Sequence, residues 1–166
     1  MDEKSAYRMF ADTIRDGDLE TFRKLAKTWH EYLFMTTPFG SWLHFAASQG
    51  HLPIVKHALD VGFDVNLRAG VSDGTALNEA ALEGHVEIVE FLHTKGGEFD
   101  LDDPTRNPLF GAIVGGHLNV AKYLLDNGID KTVRYTGETM NEMDAYEFAM
   151  ERGETKIAQL LRENVG

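Results

Sequence analysis

Histidines and carboxylates are where chemistry would have to reside in this 166-residue chain, which has seven histidines, 27 Asp and Glu, and no cysteine. Without cysteine, thiolate nucleophiles, disulfides and cysteine-based zinc sites are excluded. His30-Glu31 opens the H-E-x-x-H pattern, in which two histidines on one helix face hold zinc, but its fifth position is Phe34. Asp100, Asp102 and Asp103 begin like a calcium loop. Such a loop needs glycine at its sixth position and glutamate at its twelfth; Thr105 and Gly111 stand there instead. The serines, Ser5, Ser41, Ser48 and Ser72, lie in no G-x-S-x-G elbow, and Gly111, Gly115 and Gly116 make no phosphate-binding loop. The expectation is a protein that is not an enzyme and carries no cofactor or metal.

Charge narrows the partners. The formal net charge is −11, from 27 acidic and 16 basic residues. The excess is local: Arg68 to Arg106 holds three basic residues against nine acidic ones. Such a surface repels phosphate backbones, so nucleic acid is not an expected partner. The opening MDEKSAYRMF carries charges where a signal peptide needs an apolar core. No run approaches the roughly 20 apolar residues of a membrane span. A cytoplasmic protein outside the membrane is expected.

The elements that would position any site are short and repetitive. Gly50-His51, Gly84-His85 and Gly116-His117 are spaced 34 and 32 residues apart. Leu43, Leu77 and Leu109 each stand seven residues before the glycine, and Gly62, Gly96 and Gly128 follow in step. Within one period, Leu77, Ala80 and Ala81 share one helical face, and Ile88, Val89 and Leu92 share another. Helices this short are marginal alone, so each must bury its apolar face against copies of itself. A period near 33 residues implies stacked helix pairs.

Three in-register copies carry a resemblance: SWLHFAASQGHLPIVKHALDVGFDVN from Ser41, TALNEAALEGHVEIVEFLHTKGGEFD from Thr75 and NPLFGAIVGGHLNVAKYLLDNGID from Asn107. The chain resembles the ankyrin-repeat family over nearly its whole length. The resemblance implies an all-α ankyrin-repeat solenoid of stacked antiparallel helix pairs joined by hairpin-like turns. We expect one domain over 1–166, with repeats near 5–35, 36–66, 67–100, 101–130 and 131–163. The outer two are degenerate, with Gly17-Asp18 and Gly153-Glu154 at the hinge. Lys4, Arg8, Asp12 and Arg15, and at the other end Lys156, Gln159, Arg162 and Glu163, give them the polar outer faces that caps require.

Ser41, Thr75, Asn107 and Asp144 stand as helix N-caps, Pro108 at a first helical position, and Gly50, Gly84, Gly116 and Gly153 at left-handed helix ends. Several positions depart from the family pattern: Trp42 replaces its proline, and Asn78, Phe110 and Glu147 replace its histidine. Only Ser41 and His44 are expected to keep the family's Thr–His hydrogen bond. The repeating histidines His51, His85 and His117 are read as structural. Trp29–Gly40 lacks the usual turn, and Tyr135–Asp144 is a few residues long.

The family binds partner proteins through its hairpin tips and the first helix of each pair. Carried over by position, that face includes Trp42, Gln49, Asn78, Leu82, Glu83, Phe110 and Val114. The tips add Phe39, Arg68, Val71, Asp73, Asp103, Arg106 and Tyr135. Trp42, Leu82 and Val114 are apolar where family geometry exposes side chains, the composition of a binding hot spot. Trp29 to Trp42 also holds Tyr32, Phe34 and Phe39; Trp29 and Phe34 are read as filling the irregular first seam, with Phe39 and Trp42 divided between seam and surface. The expected function is a monomeric protein-binding module for a folded partner with a basic surface. One form of it is an inhibitor, such as the immunity protein of a toxin; the alternative is a scaffold or regulatory adaptor, and an unrecognised enzyme or metal protein is a third reading.

Overall fold

The computed structural model describes residues 2–137 and 140–163. Its helices are α1 (Glu3–Arg15), α2 (Leu19–Thr28), α3 (His30–Leu33), α4 (Trp42–Ser48), α5 (Leu52–Asp60), α6 (Ala76–Glu83), α7 (Val86–Thr94), α8 (Pro108–Gly115), α9 (Leu118–Asp126), α10 (Ala145–Glu151) and α11 (Thr155–Glu163). Apart from the single-turn α3 they form antiparallel pairs. The inner layer runs α1, α4, α6, α8, α10; the outer layer runs α2, α5, α7, α9, α11. Among the described residues there is no β-strand, only isolated bridges at the hairpin turns: Thr37 with Gly40, Ala69 with Gly74, and Tyr135 with Met143. No helix among these residues is long and apolar enough to cross a membrane.

The periodic residues fill the space between the layers. Leu43, Leu77 and Leu109 are fully buried, as are the pairs Ala46/Ala47 and Ala80/Ala81. Alanine pairs let inner helices approach closely, while Ile54/Val55 and Ile88/Val89 close the core from the outer layer. The expected caps form: Asn107 Oδ1 accepts from the Leu109 amide at 2.9 Å, and Asp144 Oδ1 from the Glu147 amide at 3.0 Å. Gly84 ends α6 at φ +83°, and a Cβ there would stand 2.5 Å from His117 Nδ1. The repeating histidines reach backwards in the same way. His85 Nε2 lies 2.9 Å from the Ser48 carbonyl and His51 Nε2 lies 3.2 Å from that of Arg15.

Between repeats, the third residue of α4 and of α6 joins its own N-cap to the following hairpin. His44 is buried, with Nδ1 2.8 Å from Ser41 Oγ and Nε2 3.1 Å from the Gly74 carbonyl. A carbonyl can only accept, so Nε2 carries the proton and Nδ1 accepts. Asn78 repeats this geometry, which corrects the expectation that only His44 would. Its Oδ1 accepts from the Thr75 amide at 2.9 Å and from Thr75 Oγ1 at 2.8 Å, and its Nδ2 donates to the Arg106 carbonyl.

Trp42 is the main departure from expectation. It is 1% exposed rather than on the surface. Its ring stacks on Phe10 at 5.3 Å and 13°, and its indole N–H donates to the Tyr32 carbonyl at 3.1 Å. The physical reason lies in the first connection. There, the single-turn α3 is inserted ahead of the Thr37–Gly40 turn, and the indole packs in the resulting seam.

Burial holds the His44 imidazole below its ordinary value of about 6.5, against the opposing pull of the Gly74 and Leu67 carbonyls. Between the folded and unfolded values the unfolded chain binds a proton that the fold refuses. Stability therefore falls as the pH drops below about 6.5, at no more than about 1.4 kcal/mol per pH unit from this residue. Urea unfolding at pH 7 and pH 5 should show a steeper loss in the wild type than in His44→Asn, which copies the Asn78 arrangement. Equal losses would remove His44 from the account.

Candidate functional site

The exposed side of the inner layer, bordered by the hairpin tips, forms a continuous trench. Two adjoining cavities of about 290 and 710 Å³ make it up. Both are lined by Ser72, Glu79, Leu82 and Thr105, so those residues mark their junction. The smaller cavity is walled by Leu82, Val114, Phe110, Phe148 and Met140. The larger is walled by Phe39, Phe45 and Val71, with Gln49 and Glu83 at its edge.

Inner-helix periodicity produces this surface. Positions equivalent to Leu77 and Ala80 face the core, so the remaining stripe must face outwards. Phe45, Glu79 and Gly111 occupy one register of that stripe; Ser48, Leu82 and Val114 occupy the next. Val71 is 92% exposed, Phe39 63%, Val114 44% and Leu82 37%. These are large apolar groups left in water on one side of the molecule, and patches of this kind mark interaction sites.

Glu79 is the chemically distinctive member. It is half-buried, and among the described residues its carboxylate accepts a side-chain hydrogen bond from the Ser72 hydroxyl, which donates to Oε1 at 3.2 Å. Burial raises its carboxyl above the ordinary glutamate range; the Ser72 bond opposes this, and the Glu83 charge adds to it. Of the described residues lining the trench, only Glu79 and Glu83 are charged, and neither has a basic partner among the described residues. The nearby cations are already engaged. Arg106 Nε donates to Asp100 at 2.7 Å, and Arg68 pairs with Asp73 and lies 3.8 Å from Asp100.

The residues expected at a binding surface therefore divide. Phe39, Gln49, Val71, Leu82, Glu83 and Val114 come together in the trench with exposed side chains. Asn78 and Phe110 line its floor but are buried, because Asn78 bridges repeats and Phe110 stacks on Phe148 at 4.8 Å. Tyr135 is also buried. Its hydroxyl donates to the Leu101 carbonyl at 2.7 Å and accepts from Asn107 Nδ2 at 3.0 Å, which corrects its placement at an exposed tip. Trp42 is corrected likewise. Arg68, Asp73 and Arg106 hold the tips in shape through their ion pairs, and Asp103 accepts from the Thr105 amide at 2.8 Å; none of the four lines the two cavities.

Sequence reasoning missed Phe45, Glu79, Met140 and Phe148. Glu79 was within reach, because its register holds phenylalanine in one repeat and glycine in another, the mark of a position the fold leaves free.

A family model described as ankyrin repeats (3 copies) matches residues 14–135. The chain belongs to the ankyrin-repeat family, and its functional class is a protein–protein interaction module. It is 42% identical over 81 residues to a probable E3 ubiquitin-protein ligase of Oryza sativa subsp. japonica, covering 47% of this chain and 16% of that protein. A putative ankyrin repeat protein of Rickettsia felis is 28% identical over 145 residues, which is 75% of this chain and 63% of the relative. The Notch-regulated ankyrin repeat-containing protein of Homo sapiens is 32% identical over 92 residues, 53% of this chain and 80% of that protein. The chain thus spans less than two thirds of the rice and rickettsial proteins.

Burial separates structural aromatics from surface ones. Trp42→Ala should cost about 3–5 kcal/mol in urea unfolding, whereas Phe39→Ser should change stability by no more than about 0.5 kcal/mol. Similar losses for both would place Phe39 in the core and out of the trench.

Proposed function

We propose that the trench is the surface through which this chain binds a folded protein partner whose contacting face is basic. The observation that carries the reading is the juxtaposition of exposed apolar walls with two carboxylates that have no basic partner among the described residues. Apolar burial supplies affinity. The charges select a cationic surface and speed its approach. Such a module acts by occupying its partner, and occlusion of a basic functional site is the inhibitory form of that action.

A second reading, a recognition unit that delivers a partner to something else, is favoured by one comparison. The rice relative is a probable E3 ubiquitin-protein ligase, and the matched stretch covers 16% of it. A segment of that kind serves as one part of a longer protein. The two readings share the trench and differ in whether binding alone silences the partner.

Affinity capture from the source cells, followed by titration of the purified partner, tests both. Leu82→Asp with Val114→Asp should abolish capture by placing uncompensated charge in the walls. The outer-helix variant Glu87→Ala should retain it. Loss of the partner's own activity at stoichiometric binding supports inhibition; intact activity supports delivery. Equal capture by the trench variant and the wild type would sink the trench as the binding surface.

A further inference from the structure

Resting on that reading, we propose that the trench recognises a linear, extended segment of its partner, in which one arginine or lysine seats on Glu79 and Glu83 and the flanking apolar side chains fill the cavities on either side. The cavities meet at Glu79, so the acid lies between two apolar walls rather than at a rim. Phe39, Phe45 and Val71 bound one side; Leu82, Val114 and Phe148 bound the other. An extended chain places alternate side chains on one face about 6.5–7 Å apart. A cation with an apolar residue two places before and after it therefore matches the order wall, acid, wall. On a folded partner, an exposed loop or terminus in extended conformation supplies that alternation within the basic face.

The acids are arranged to favour occupancy. Glu79 and Glu83 stand one helical turn apart on α6, where like charges repel. Among the described residues, the trench lining has no other titratable group and no cation to relieve them. A guanidinium accepted between them removes the repulsion and supplies hydrogen bonds for a carboxylate that, among the described residues, is otherwise met by Ser72 alone. Arginine, whose planar fork can engage two carboxylates, suits this better than lysine. Because burial raises the Glu79 carboxyl, protonation in mild acid should release the segment.

Selection of random 12-residue displayed peptides on the folded full chain tests this, with winners synthesised, labelled with fluorescein and titrated by anisotropy. Winners should carry Arg or Lys with apolar residues two places away. Replacing that cation by Gln should weaken binding about tenfold or more. Glu79→Gln should weaken the parent peptide similarly, and the two changes together should weaken it little further, the signature of direct coupling. Wild-type binding should fall as the pH drops towards 4.5, and the Glu79→Gln binding should fall less, since only Glu83 then remains to be protonated. Glu83→Gln is the second variant, and circular dichroism confirms that each folds. Winners without cations, additive effects in the double variant, or no winners at all would overturn the proposal. If winners bind but ignore Leu82→Asp with Val114→Asp, the trench reading itself fails. If they respond to those changes but not to Glu79→Gln, only the segment proposal fails.

Discussion

The third position of the inner helices stands where two repeats meet, and the order of the stack depends on that junction. The junction must satisfy a helix start and a polar group of the next hairpin at the same time, buried at His44 and Asn78. His44 does this with two ring nitrogens and Asn78 with the two ends of an amide. In the following repeat that residue is Phe110, which has no polar atom to offer. The hydroxyl of Tyr135 takes over, linking Asn107 to Leu101 from the next turn. At the last pair the site has opened to solvent, and Arg134 pairs with Asp144 and Glu147 instead. Four chemistries meet one geometric demand, because a buried polar group left without a partner costs more than the choice of partner matters.

That junction fixes the spacing of the inner helices, and so it creates the trench without contributing to its character. Once helix spacing and hairpin position are fixed, the outward stripe of each inner helix is relieved of any packing duty. Its residues can differ freely between repeats, as Phe45, Glu79 and Gly111 do. The scaffold and the proposed recognition surface are therefore separable down to individual positions along a single helix. Asn78 belongs to the first and its neighbour Glu79 to the second.

The same separation explains what could be read from the chain alone. Repeat length, helix ends, alanine pairs and the structural role of the Gly-His hinges were legible, because one demand is met three times with nearly the same residues. Side chains that answer a local irregularity were harder. Trp42 has no counterpart elsewhere in the array, since only the first connection contains α3, and its indole partner Tyr32 belongs to that connection. Tyr135 was misplaced because its duty arises from the phenylalanine in the preceding repeat, a pairing between distant positions. The acid at the trench centre was missed for a different reason. A glutamate on a helix reads as solvated; its register, with phenylalanine and glycine in the neighbouring repeats, marks it as free of packing duty, and the walls on both sides supply its environment.

The glycine at the end of each inner helix and the histidine of the following repeat form a plug and socket. Gly17 receives His51, Gly50 receives His85, and Gly84 receives His117. The series then changes: Gly116 faces the carboxylate of Glu154. The inner repeats thus share one socket and plug at this joint, whereas the last is keyed differently. Duplication of an internal unit would lengthen the array and its trench using joints already in place. Duplication across the fourth joint would instead have to carry its carboxylate along.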